Sequence, residues 1–168
     1  MTDPTNQKIL EDRNLLAQQN KEYAESLAKD LLKKQEKEKK KKELKEKEDR
    51  KKIIEEYKLK MNGSKYDGNL SIMIKYPDGK KAVLGFASSD TLDKLFDGIM
   101  SHPSCPNYFF VRSVYPKMEI NCFPSWYRDI LNIEVDDVER KITVGEEMKT
   151  FDEQKIVNKT ILYINIIH

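Results

Sequence analysis

Few side chains in this sequence could carry covalent or metal chemistry. There are two cysteines, Cys105 and Cys122, and two histidines, His102 and His168. His102 and Cys105 stand three apart beside Pro103 and Pro106, the one pairing that a Cys/His nucleophile could use, but no third residue is placed to orient it. The four residues do not match the spacing of any familiar zinc site. Asp136-Asp137 and Glu146-Glu147 are acid pairs with no further ligand oxygens around them, and they read as solvated loop charge. GxSxG, phosphate-loop, HExxH and CxxC patterns are absent. No enzyme class is supported, and neither cofactor nor metal is expected.

Recognition chemistry is better represented. Lys39–Lys42 is a run of four lysines, the kind of patch that attracts nucleic acid or an anionic membrane surface. Yet Lys29–Lys52 interleaves its 13 basic residues with 7 acidic ones, which repel phosphate. No aromatic side chain lies between Tyr23 and Tyr57 to stack on bases. The stretch therefore reads first as a solvated helix, and nucleic acid is not expected as a partner.

The elements that carry these residues divide the chain in two. Its 168 residues suit one domain plus an appendage. A charged fraction of 36% and a mean hydropathy of −0.75 are too polar for a single core of that size, so part of the chain lies outside one. Residues 1–60 hold 18 basic and 14 acidic side chains, and residues 61–168 hold 13 and 15. No stretch approaches the roughly 18 apolar residues of a membrane span. The start lacks a signal-peptide pattern, and a soluble protein of the reducing cytoplasm is expected.

Residues 1–60 are predicted to be one long charged helix, since neither Pro nor Gly occurs from Thr5 to Asn62. Leu16, Tyr23, Leu27 and Leu31 share a face, widened by Leu15, Ala24, Ala28 and Leu32. Beyond Leu32 only Leu44 and the cluster Ile53-Ile54-Tyr57 are apolar. Glu36–Lys40, Glu38–Lys42, Glu43–Lys47, Glu46–Arg50 and Glu48–Lys52 place an acid four residues before a base. Each such pair is worth about 0.2–0.5 kcal/mol in an isolated helix. Lys33–Lys52 is thus predicted to be helical with almost no contact to the following domain. The stripe from Leu16 to Leu32 offers too few heptads for a long coiled coil but leaves self or partner association open. Asn62-Gly63-Ser64 and Asp67-Gly68-Asn69 mark residues 61–69 as a linker.

Residues 70–168 read as an α+β domain. Leu70, Ile72, Ile74 and Tyr76 alternate with polar neighbours as in a strand. Pro77-Asp78-Gly79 turns the chain, with Gly79 supplying a positive φ, into a second strand at Ala82–Phe86. Ser88, Ser89 and Asp90 are candidate caps for a helix, whose Leu92, Leu95, Phe96, Ile99 and Met100 share a buried face. His102-Pro103 and Cys105-Pro106 end it. Strands follow from Tyr108 and over Ile161–Ile167. This order is that of a ubiquitin-like β-grasp with one helix across the sheet; two helices of similar length within Leu70–Ile167 would end this reading. Residues 119–149 form an insertion, and its Phe123, Trp126, Tyr127, Ile130, Leu131 and Ile133 are expected to pack on the domain.

Thr150 to Ile164 resembles the end of ubiquitin, where a threonine and an apolar residue open a short turn, an isoleucine plugs the core and a polar pair leads into the last strand. The chain ends at Ile167-His168 without a diglycine tail, so a ubiquitin-like domain is expected and not a conjugated modifier. Among such domains it resembles the UBX family. Ser113-Val114-Tyr115-Pro116-Lys117 matches that family's Ser/Thr-x-Phe-Pro-Arg turn between its third and fourth strands. Lys75-Tyr76-Pro77-Asp78-Gly79 matches the basic-x-Pro-x-Gly end of its first strand, and Ser89-Asp90-Thr91-Leu92 the opening of its helix. Gln18–Asp30 resembles the Gln-rich helix that precedes the domain in proteins of the FAS-associated-factor type. Such proteins usually also carry a ubiquitin-binding and a thioredoxin-like domain, and neither fits in this chain.

The resemblance implies a non-enzymatic adaptor of the AAA ATPase valosin-containing protein in ubiquitin-dependent protein degradation. It implies that Tyr115, Pro116 and Lys117, helped by Lys75, bind that ATPase's N-terminal domain; in the family the aromatic–proline bond is commonly cis. Tyr115 replaces the family's Phe and brings a hydroxyl that needs a partner or water. Lys117 and Lys75 stand where Arg is usual and lose its planar fork. All three changes keep the site's character while weakening it. On spacing alone the tripeptide is also an ordinary loop tip. Two other classes of function stay open: a structural, coiled-coil interaction protein with an incidental ubiquitin-like domain, and a basic-helix binder of RNA or anionic membrane.

Overall fold

The computed structural model describes residues 3–134 and 147–167. Asp136, Asp137, Glu146 and His168, named above, lie outside the described residues, as does much of the expected insertion. Helix α1 spans Pro4–Met61. Its residues divide between two compact units, 1–49 and 50–168.

In the first unit every described side chain is exposed. The predicted stripe forms on the helix, with Leu16 59% exposed and Tyr23 71% exposed. Among its described residues, Lys42 and Glu46 form an i,i+4 ion pair at 3.9 Å, in the reverse of the expected Glu-before-Lys order.

The second unit contains β1 (Leu70–Lys75), β2 (Lys81–Phe86), α2 (Leu92–Met100), β3 (Phe109–Val114), β4 (Lys117–Ile120), α3 (Ser125–Glu134) and β5 (Thr160–Ile166). The sheet order is β2-β1-β5-β3-β4. β1 and β5 are parallel, and the other neighbours are antiparallel. Helix α2 lies across it: Leu84 of β2 comes up against Gly98, and Phe96 stacks on Phe109 of β3 at 6.2 Å. This is the ubiquitin-like grasp. Gly79 takes its expected positive φ of 86° in the β1–β2 turn, and the ubiquitin-like ending appears with Phe151 and Ile156 in the core. Thr150 and Glu153 cap that last turn reciprocally, each side chain accepting the other's backbone N–H.

Four expectations are corrected. Helix α3, 10 residues against the 9 of α2, is a second helix of similar length. It leaves the grasp intact because it lies between β4 and β5 and adds a layer beside α2: Tyr127 meets Phe96 at 4.8 Å and Phe109 at 5.7 Å. Ile133, expected to pack, is 61% exposed. The cap of α2 is Thr91, not Ser88, Ser89 or Asp90; Asp90 instead accepts the Ala87 N–H and holds the preceding turn. Finally, Arg50 does not turn to Glu46. Its Nε pairs at 2.7 Å with Glu134 at the end of α3, so the stretch Lys33–Lys52 does touch the domain at that residue.

The compact unit therefore starts at Arg50, ahead of the change in composition near Lys60. Ile54 is fully buried. Tyr57 packs on Trp126 at 4.9 Å and donates its hydroxyl proton to Asp97 of α2. The Lys58 ammonium donates to the Cys105 carbonyl and to Asn107 Oδ1, and burial lowers its pKa. The linker also docks: the Gly85 N–H donates to the Tyr66 carbonyl at 2.9 Å.

Two measurements check this seam. Ile54→Ala should cost about 2–5 kcal/mol in chemical unfolding, the scale for emptying a filled core position. Asp97 has its pKa raised, first by desolvation, against the lowering effect of the Tyr57 hydrogen bond. A raised folded-state pKa means the folded protein holds more protons than the unfolded chain just above the ordinary carboxylate pKa. Stability should fall as pH rises through that window, and Asp97→Asn should remove this part of the slope in unfolding curves taken across it.

Candidate functional site

Strand alternation sends one set of side chains into the core and the other to the face turned away from α2. On β3, Phe109, Val111 and Ser113 are buried, while Phe110, Arg112 and Val114 face outward. The strand then turns sharply. Val114 pairs with Lys117, which leaves Tyr115 and Pro116 as a two-residue connection whose peptide bond is cis. Tyr115 is 88% exposed, more than any other large apolar side chain of the protein's described residues. Two residues before it, the Ser113 hydroxyl is buried without a hydrogen-bond partner among the described residues.

Tyr115, Pro116 and Lys117 are thus together at one tip. Lys75 is not beside them. Its expected proximity rested on the first and third strands being neighbours, and that is corrected: β5 lies between β1 and β3. Lys75 pairs in register with Tyr163 of β5, whose other neighbour is Arg112 of β3. The Lys75 ammonium sits 5.0 Å from the Tyr163 ring centre and donates to its hydroxyl at 3.1 Å. Lys75 and the turn share the outer face, with the strand β5 between β1 and β3. Arg112, Tyr163 and Ile161, which stand nearer to the turn, escape a sequence reading because only the strand order reveals them; the alternation of β5 was the one available signal.

No protein-family model matches the chain. Over 173 residues it is 47% identical to "UBX domain-containing protein 5" of Caenorhabditis elegans, covering 98% of this chain and 99% of that protein.

The covalent candidates fare differently. Cys105 and Cys122 are buried free thiols. Burial pushes the Cys105 thiol up to about 12 and raises Cys122 further. The nearby Lys58 cation favours the thiolate but is outweighed. His102 stacks on Tyr76 at 4.2 Å, and its Nδ1 accepts the Ser104 N–H. A cleft of about 420 Å³, lined by Lys58, Leu59, Met100 and His102 among others, opens at this end of α2. No cluster of three metal-ligating side chains occurs among the described residues, and no helix among them is long and apolar enough to cross a membrane. Because the thiolate is the reactive form, both cysteines should resist a thiol reagent at neutral pH in the native protein and react fully once it is unfolded. Rapid native labelling of Cys105 would contradict this burial.

Proposed function

The chain belongs to the UBX-domain proteins, an adaptor-type family, and from that premise we propose that its ubiquitin-like domain binds the N-terminal domain of the AAA ATPase valosin-containing protein. It does so without catalysis or a cofactor, as a cytoplasmic adaptor in ubiquitin-dependent protein degradation. Tyr115 is the anchor, Pro116 shapes the turn, Lys117 supplies a cation at its base, and Lys75 contributes from the same face at a distance.

The observation that carries this reading is Tyr115 itself. A tyrosine 88% exposed at the tip of a two-residue connection has no packing role in its own domain. Held by the β3–β4 register, it offers aromatic area to a pocket at small entropic cost. Its hydroxyl is solvated in the free protein and needs a polar partner when buried. The exposed stripe at Leu16, Tyr23, Leu27 and Leu31 supports a second reading, association of the helix with itself or another protein; sedimentation of the chain as a single monomeric species over a wide concentration range would remove self-association.

Isothermal titration with the isolated N-terminal domain of the ATPase tests the main reading. Truncating a central aromatic anchor typically costs at least roughly 2 kcal/mol, so Tyr115→Ala should weaken binding by tens-fold at about 1.4 kcal/mol per decade. Tyr115→Phe and Lys117→Arg, which restore the family pattern, should tighten binding or leave it unchanged. A folded Tyr115→Ala protein that binds like the wild type would sink the assignment of this turn.

A further inference from the structure

The tip carrying Tyr115 stands at the end of a face that the other described residues leave exposed. In register across the sheet, Met73 lies between Val83 and Ile161. Val114 falls one step beyond the Ser113–Leu162 pair, next to Ile161, and itself pairs with Lys117. Val83, Val114 and Ile161 are 62%, 42% and 39% exposed. This apolar row therefore crosses the sheet and runs into the foot of the turn. Contiguous exposed apolar surface of this kind marks an interaction site more often than scattered single residues do.

The next row along the strands is Lys81, Lys75, Tyr163, Arg112 and Glu119. With Lys117, the strands present four cations and one acid on this face. None of the four cations forms an ion pair among the described residues. Two of them lie against aromatic rings: Lys75 on Tyr163, and the Arg112 guanidinium 5.4 Å from the centre of Phe110. The face thus joins exposed apolar area to an excess of positive charge, and its complement is an acidic surface with an apolar centre.

Resting on the reading of the Tyr115 turn as the anchor for the ATPase's N-terminal domain, we propose that the outer face of the sheet is the second part of the same contact. Val83, Met73, Ile161 and Val114 pack against an apolar area of that domain, and Lys75 and Arg112 meet its acidic groups. The turn supplies an anchor in a pocket, and the face supplies the flanking area that excludes water around it. Unpaired cations on such a face accelerate encounter with an acidic partner and make the rate depend on salt.

The test measures affinity and association rate for the full chain with the isolated N-terminal domain, in parallel with Tyr115→Ala. Ile161→Glu and Val83→Glu should each weaken binding by about tenfold, the scale of one well-buried interface contact. Val83 is on the edge strand β2, so Val83→Glu probes the row without threatening the central strand, and unchanged thermal melting verifies each fold. Arg112→Glu should slow association and reduce its salt dependence. If Tyr115→Ala loses binding while folded Val83→Glu, Ile161→Glu and Arg112→Glu all bind like the wild type, the turn acts alone and the inference is overturned while the anchor stands. If the wild type does not bind the N-terminal domain, both fall. If these substitutions abolish binding to phosphatidylserine vesicles and leave the ATPase affinity unchanged, the face serves a membrane and the proposed occupant is wrong.

Discussion

Two hairpins that share no pairing with each other are joined into one sheet by the last strand of the chain. β1–β2 and β3–β4 meet only through β5, which pairs parallel with one and antiparallel with the other. Closing that gap means bringing Thr160 beside Ile72 across most of the domain's length, a loop-closure cost that only the central position of β5 can offset. Its inward side chains Leu162 and Ile164 are buried, and its outward Tyr163 joins Lys75 to Arg112. Both the core and the outer face therefore depend on the register of this strand. The pair is anchored at its start: the Asn158 side chain accepts the Ser71 N–H and the Lys159 N–H donates to the Ser71 carbonyl, fixing the parallel register where the ladder begins.

The opposite side of the sheet is closed by aromatic packing. Phe96 touches Tyr57, Phe109, Phe123, Trp126 and Tyr127, so residues from α1, α2, β3 and the segment holding α3 meet around one ring. Burial of these large side chains supplies area, and their tilted and edge-on contacts add specificity of position. Two polar groups at the rim find partners: the Tyr127 hydroxyl donates to the Asn107 carbonyl, and that of Tyr57 to Asp97. The Arg50–Glu134 pair is 20% and 11% exposed on its two side chains. Desolvation consumes much of the attraction in such a pair, so its role is to hold the end of α3 against the start of the compact unit.

The local signals in the sequence were faithful and the non-local ones were missing. The period-two run at β1 and the strands expected at β2 and β5 fell within one residue of the observed bounds, and the 3-4-7-8 spacing from Leu92 gave α2 to the residue, because burial on one face dictates the spacing. Pro77-Asp78-Gly79 gave the hairpin because only glycine takes that φ easily. Helix α3 was available in principle: Pro124-Ser125 opens it, and Trp126, Tyr127, Ile130 and Leu131 have helical spacing. The burial of Ile54 and Tyr57 was not, since two apolar residues inside a run of Lys and Glu do not reveal what they face. At the site, the turn was legible as a contiguous motif. The position of Lys75 relative to it was not, because strand order is a property of the closed sheet and no local pattern encodes which strand inserts between two others.

That same topology shapes what the site can do. In the proposed contact, a turn carrying Tyr in place of Phe presents a wetter anchor, and Lys in place of Arg presents a point charge in place of a fork. Both changes shift the demand from geometric fit in one pocket to breadth of contact. The sheet provides breadth because β5, by separating β1 from β3, sets Lys75 and Arg112 apart along one row with Tyr163 between them, while Met73 and Ile161 lie in the neighbouring row that ends at the foot of the turn. Had β1 and β3 been neighbours, the cations would crowd the anchor and the apolar row would be a strand narrower. In the proposed complex, the weakened anchor and the widened face are thus two consequences of one arrangement: the turn fixes position, and the face set by β5 supplies area and charge.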